Sequence, residues 1–257
     1  MYTKDDVLNS VNIALTDEHL SDINMGQADV YHDVYRDQIM VALGLDGNPR
    51  RFTVTVAEAA PRSDSWLHGR FIQTYTGGRF DLDDPQPEQV SIEDIAHALS
   101  LICRYTGHVR VPYSVASHCI LVSRILEDAG HSPETVYAGL LHDSQEAYIQ
   151  DISSPLKGML HDYKAIEANV SEAVYEALEL DGALVDWEAV KWADLCALFI
   201  ERRDLMREAT EKWADEEFAE QIENVPFVAR GDLYWRDVKA GYLARYRELR
   251  REVGLNA

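Results

Sequence analysis

The chain has 257 residues, 45 Asp and Glu against 24 Lys and Arg, and a formal net charge of −21. That charge argues against a nucleic-acid polymer as partner, because phosphate backbones are bound through cation-rich surfaces, and the 46% hydrophobic content argues against general disorder. No stretch approaches the roughly 20 apolar residues of a membrane span, and MYTKDDVLNS lacks a signal-peptide core, so a cytoplasmic protein with no membrane partner is expected.

Residues 1–65 read as a small α+β extension without recognisable chemistry. Two short helices are predicted, over KDDVLNSVNIAL and HDVYRDQIMVALGL, followed by a strand over RFTVTVA after a Gly-Asn-Pro turn. His19 and His32 lie near acids, but at a spacing that suggests only a surface role. The run FIQTYTGGRFDL reads as a β-hairpin about Gly77-Gly78, and DLDDPQPEQ as a polar linker.

A helical core is predicted over residues 66–210, counting the hairpin that leads into it. Ser91 supplies an N-cap, with Ile92, Ile95, Leu99 and Ile102 recurring at helical spacing as far as Arg104. His97 on that helix reads as a packed or surface histidine. In VPYSVASHCILVSRILEDAG the apolar residues Val115, Cys119, Val122 and Leu126 form a stripe, and His118 lies beside it. The segment from Val136 to Ile149 reads as one helix carrying His142-Asp143, with Glu146 one turn further on the same side. Asp151 and Lys157 follow in a Pro-containing turn, a suitable rim for a pocket, and a lysine there suits phosphate. Asp194 sits among Trp187, Val190, Leu195 and Leu198, where an uncompensated carboxylate costs roughly several kcal/mol.

His118, His142, Asp143 and Asp194 are therefore read as ligands of one divalent transition metal. Their mixed N/O set suits Co, Mn, Zn, Fe or Ni better than Mg or Ca. Glu146, beside the water that such a metal activates, is the candidate general acid/base. Cys103, Cys119 and Cys196 lack zinc-ribbon spacing and read as buried free thiols. After Asp194 the helix is expected to continue through ERRDLMREATEKWADEEFAEQIENV. Residues 211–257, with Tyr234, Trp235, Tyr242 and Tyr246, read as a C-terminal helical segment that packs on the core or on a neighbouring subunit.

The H…HD…D set resembles that of the HD-domain phosphohydrolase superfamily. ALSLICRY, HDSQEAYIQDISSPLK, YKAIE and VKWADLCALFI look like segments of the bacterial 5'-deoxynucleotidases and the phage-type dATP triphosphohydrolases. The resemblance covers roughly residues 66–210 and implies a mainly α fold, an HD-domain helical bundle. It also implies metal-dependent hydrolysis of deoxynucleoside 5'-phosphates at the α-phosphate, either as dNTP triphosphohydrolase or as dNMP 5'-nucleotidase. It makes Arg104 a phosphate-binding residue, Asp151 a sugar or catalytic-network residue, and Lys157 a phosphate contact. Tyr105 stands where the bacterial enzymes have a tryptophan, and is expected to bear on the base. His108, in the connection before the His118 helix, is a further candidate nucleotide contact, and Arg110 and Lys164 are further cations near the expected mouth. A small-molecule deoxynucleotide partner and a homo-oligomer are expected. The alternatives are another phosphoester substrate, such as an alarmone or cyclic nucleotide, or a degenerate nucleotide-binding regulator.

Overall fold

The structure is a computed structural model that describes residues 70–160, 162–211 and 226–256, together with the backbone of 28–33, 38–45 and 48–54. The chain divides into two compact units, Met1–Gly69 and Arg70–Ala257. No helix among the described residues is long and apolar enough to cross a membrane.

The first unit contains a three-stranded antiparallel sheet in the order β1 (Ala28–Asp33), β2 (Gln38–Leu45) and β3 (Asn48–Val54). Leu43 pairs with Ala28 on one side and Arg50 on the other. The helix expected over HDVYRDQIMVALGL is thus corrected to strand at residues 32–33 and 38–45, while residues 34–37 lie outside the described residues. The alternation of Ile39, Val41, Leu43 and Leu45 is a period of two, and pairing on both edges of β2 satisfies its backbone. β3 also begins before the predicted strand, at Asn48, with Leu45 paired directly to it. The helix predicted over KDDVLNSVNIAL lies outside the described residues.

The second unit is mainly α-helical. Its hairpin, β4 (Phe71–Gln73) and β5 (Arg79–Asp81), forms about Gly77, whose φ of 87° is the left-handed conformation that glycine adopts freely. Thr76 ties the turn to the bundle by donating from its backbone N and its hydroxyl to the Asp94 carboxylate at 2.7 and 2.9 Å. The expected linker holds a 3-10 turn, Pro87–Gln89, capped reciprocally by Gln86 and Gln89.

The helices are α1 (Ile92–Leu101), α2 (Val115–Asp128), α3 (Pro133–Leu141), α4 (Glu146–Ile149), α5 (Ser154–Lys157), α6 (Tyr163–Ala177), α7 (Trp187–Leu205) and α8 (Trp235–Glu252). Ser91, Ser114, Ser132 and Asp186 cap α1, α2, α3 and α7 by accepting backbone N–H groups that have no helical partner. α2 packs against α3 and α7, while α8 crosses α1, α2 and α3. The core they share includes Leu99, Val122, Leu126, Leu140, Ile200, Tyr242 and Leu249, all fully buried. Each buried Leu or Ile of this kind contributes roughly 1.5–3 kcal/mol. Of the C-terminal aromatics, Tyr242 and Tyr246 of α8 are buried within the chain, whereas Tyr234 is exposed.

Two helices end earlier than the periodicity suggests. α3 stops at Leu141, and residues 142–145 form turns before α4. The carbonyls released there are taken by tyrosines: Tyr242 Oη donates to Leu140 O at 3.2 Å and Tyr175 Oη to His142 O at 3.3 Å. α7 stops at Leu205, and Met206 is extended. Arg110 N takes the Leu205 carbonyl at 2.9 Å, and the Asp204 carboxylate accepts from Ala229 N at 2.9 Å. Those tertiary bonds replace continuation of the helix.

Candidate metal centre

α2 carries His118, the turn after α3 carries His142 and Asp143, and α7 carries Asp194. Gly139 permits the close approach of α2 and α3, since a Cβ there would lie 2.3 Å from Leu126 Cδ1. His118 Nε2 lies 3.3 Å from His142 Nε2, 3.0 Å from Asp194 Oδ1 and 3.6 Å from Asp143 Oδ2. His142 Nε2 lies 3.2 Å from Asp143 Oδ2 and 3.8 Å from Asp194 Oδ1. His118, His142 and Asp143 form a group able to hold a metal ion, and Asp194 adds a fourth donor from the facing helix.

The outer ring atoms decide what this cluster fits. His142 Nδ1 lies 2.9 Å from Gly139 O, which can only accept, so the proton is at Nδ1 and a neutral ring turns its Nε2 lone pair inward. His118 Nδ1 lies 2.7 Å from Glu201 Oε1, with the same consequence. Two lone pairs and two carboxylates thus converge at separations close to the roughly 3.0–3.5 Å between ligands on a cation with bonds of about 2.0–2.2 Å. Such a concentration of acceptors fits a divalent cation, with the second partner of each histidine setting its tautomer.

Protons answer the same charge when no cation does. For His142, burial disfavours the charged ring, but Asp143 and Asp194 outweigh it and raise the pKa well above the ordinary value. Burial and Arg104 act on His118 in the same direction, and Glu201 and Asp194 reverse them. The Asp143 carboxyl is lowered: burial opposes ionisation, and His142 and His118 overcome it.

Glu146 is 2% exposed, and its Oε2 has no hydrogen-bond partner among the described residues. Burial first, then the charges of Asp143 and Asp151, push its carboxyl up to about 10. Lys157 does not prevent this. Its Nζ is 3.7 Å from Glu146 Oε1 but hydrogen-bonds Glu167 at 2.7 Å. Glu146 is therefore a neutral proton donor at pH 7 in the cation-free site.

Arg104, 9% exposed, reaches Asp143 Oδ2 at 3.5 Å and Glu201 Oε2 at 3.1 Å. It is not the end of an amphipathic helix, because α1 stops at Leu101 and Ile102 is extended. A separate 3-10 turn, Arg104–Gly107, follows, with Tyr105 and Thr106 at φ of 57° and 53°. Left-handed backbone at non-glycine residues costs about 1–3 kcal/mol each, and marks a place where surroundings over-determine the chain. Tyr105 turns its hydroxyl to Glu201 Oε2 at 2.7 Å. Asp151 is half-buried, its pKa raised first by burial, while Arg104 pulls it down and Asp143 raises it again. His108 and Arg110 instead line a cavity of about 590 Å³ with Arg202 and Arg207, which no metal-cluster residue lines. Lys164 is exposed on α6.

Glu201 and Glu167 are the site residues that sequence reasoning missed. Glu201 lies seven residues after Asp194, two helical turns along the same face, and that spacing was its one available signal. Cys119 and Cys196 are buried and Cys103 is half-buried, all three as free thiols.

No protein-family model matches the chain. It is 41% identical over 135 residues to the uncharacterized protein YfdR of Escherichia coli (strain K12), a stretch covering 52% of this chain and 72% of YfdR. It is 31% identical over 190 residues to an uncharacterized protein of Rhodobacter capsulatus, covering 69% of this chain and 94% of that protein. The chain belongs to the family that these proteins form.

Proposed function

We propose that this chain is an HD-type metal-dependent phosphohydrolase that cleaves deoxynucleoside 5'-phosphates at the α-phosphate. The observation that carries the reading is the convergence of His118, His142, Asp143 and Asp194 near a buried Glu146 whose Oε2 has no hydrogen-bond partner among the described residues. A divalent cation held by those four residues would supply Lewis acidity to a phosphoryl oxygen and lower the pKa of water. Arg104, and Lys157 beside Glu146, would offset the substrate's negative charge.

Hydrolysis joins a water oxygen to the α-phosphorus and breaks the bond to the 5'-oxygen, which leaves with a proton. Glu146 would manage both protons, taking one from the attacking water and giving one to the leaving 5'-oxygen. Deoxyribose and base preference rest on the resemblance in ALSLICRY, HDSQEAYIQDISSPLK and VKWADLCALFI.

The test is a panel of deoxynucleoside mono- and triphosphates with Mn²⁺, Co²⁺ and Zn²⁺, with products separated by ion-exchange chromatography. Triphosphate released from dATP places the chain with the triphosphohydrolases. Orthophosphate from dAMP with dATP intact makes it a 5'-nucleotidase. Metal bound in stoichiometric amount with no nucleotide cleaved defeats the proposal.

A further inference from the structure

We propose that Glu201 is a positioning residue that locks the metal-binding half of the site to its anion-binding half; the proposal rests on the metal-centre reading above. The Glu201 side chain is fully buried on α7. Its Oε1 lies 2.7 Å from His118 Nδ1, while Oε2 accepts from Arg104 Nε at 3.1 Å and from Tyr105 Oη at 2.7 Å. One carboxylate therefore holds a metal ligand, the nearest guanidinium and the turn that carries it.

Each bond has its own consequence. An ionised carboxylate only accepts, so the His118 proton is drawn to Nδ1 and Nε2 is left to face the cluster. Arg104 is gripped through Nε, which leaves its Nη1 directed toward Asp143 at 3.5 Å. Tyr105 anchors the left-handed turn at Tyr105 and Thr106, a conformation that a free loop would relax. The rival reading is a charge buried only to neutralise Arg104. Such a pair is a poor source of stability once desolvation is counted, and it does not account for the third bond, to the ring of a metal ligand.

Glu201→Gln in the full chain separates the two. The amide keeps the volume but can no longer accept all three donors. Mn²⁺ affinity by titration calorimetry should fall about 10–100-fold, the range for an outer partner of a ligand histidine. The visible absorption bands of the Co²⁺-loaded protein should change shape. Unchanged Mn²⁺ affinity and an unchanged Co²⁺ spectrum in a folded variant overturn the proposal, whatever happens to its melting temperature.

If Glu201→Gln does not fold, Tyr105→Phe is the second probe, because it keeps the ring and removes only the hydroxyl bond. It should weaken inorganic phosphate binding to the Mn²⁺-loaded protein several-fold, and an unchanged phosphate affinity counts against the anchoring role. Wild-type protein that binds neither Mn²⁺ nor Co²⁺ brings down the metal-centre reading and this proposal with it. Wild type that binds while Glu201→Gln binds equally brings down this proposal alone.

Discussion

Glu146 and Asp194 make opposite electrostatic statements, although both are carboxylates close to Asp143 at the same site. Asp194 is held well below the ordinary range: burial opposes its charge, and hydrogen bonds with His118 and His142 prevail. Replacing it by Ala should remove stoichiometric Mn²⁺ and, with it, the metal's contribution to thermal stability, because binding free energy is shared with folding. Mass spectrometry of the intact protein reads occupancy, and full loading of the variant would remove Asp194 from the ligand set. Glu146 is raised to about 10 in the folded chain against an ordinary value of 4.5. Between those values the native state holds a proton that the unfolded chain has released, so this group's contribution to stability declines as pH rises from about 4.5 towards 10. Glu146→Gln cannot ionise and removes that decline. The metal-free variant should be more stable than wild type by about 1–3 kcal/mol at pH 8, with no gain at pH 4, while turnover falls roughly 10²-fold or more. Parallel stability curves across that pH range would return Glu146 to an ordinary ionised acid.

At the level of elements, the cluster depends on how closely α2 and α3 approach. Gly139 serves both sides of this, by leaving room for Leu126 and by offering its carbonyl to His142 Nδ1. Gly139→Ala improves helix propensity by about 1 kcal/mol, yet its methyl would fall 2.3 Å from Leu126 Cδ1. Overpacking should win, for a net loss of about 1–3 kcal/mol, and Mn²⁺ should bind more weakly as the two histidines separate. Chemical denaturation measures the first effect and calorimetry the second; a variant more stable than wild type would show that the helices can part freely. α8 contributes from the other side. Tyr242 bonds both Leu140 O and Ser144 Oγ, bracing the turn that bears His142 and Asp143.

For the whole molecule, the formal charge of −21 is gathered partly at one place. Asp143, Asp151, Asp194 and Glu201 surround the centre together with a protonated Glu146, against Arg104 and Lys157. Protons on His118 and His142 offset part of that excess in the cation-free protein, their pKa values being raised. Metal must displace them, so its affinity should rise with pH through the neutral range and weaken as the medium is acidified. Calorimetry in two buffers of different ionisation enthalpy should show net proton release on Mn²⁺ binding, and a buffer-independent heat would contradict this charge balance.

Helical periodicity was enough to place His118 beside the apolar stripe that α2 buries, to recognise Ser91 as an N-cap and to find the hairpin about Gly77, because each depends on neighbours within a few residues. The order of His118, His142, Asp143 and Asp194 pointed to one shared site, and the fold brings the four side chains together. Local pattern failed where distant partners compete for the backbone. β2 is a strand because β1 and β3 pair with both its edges, and α7 ends where Arg110 and Ala229 take its last turn. Glu201 shows the same division at the site. Its spacing from Asp194 is local, but its role comes from His118, Arg104 and Tyr105, which lie 83, 97 and 96 residues away and meet it only in the folded bundle.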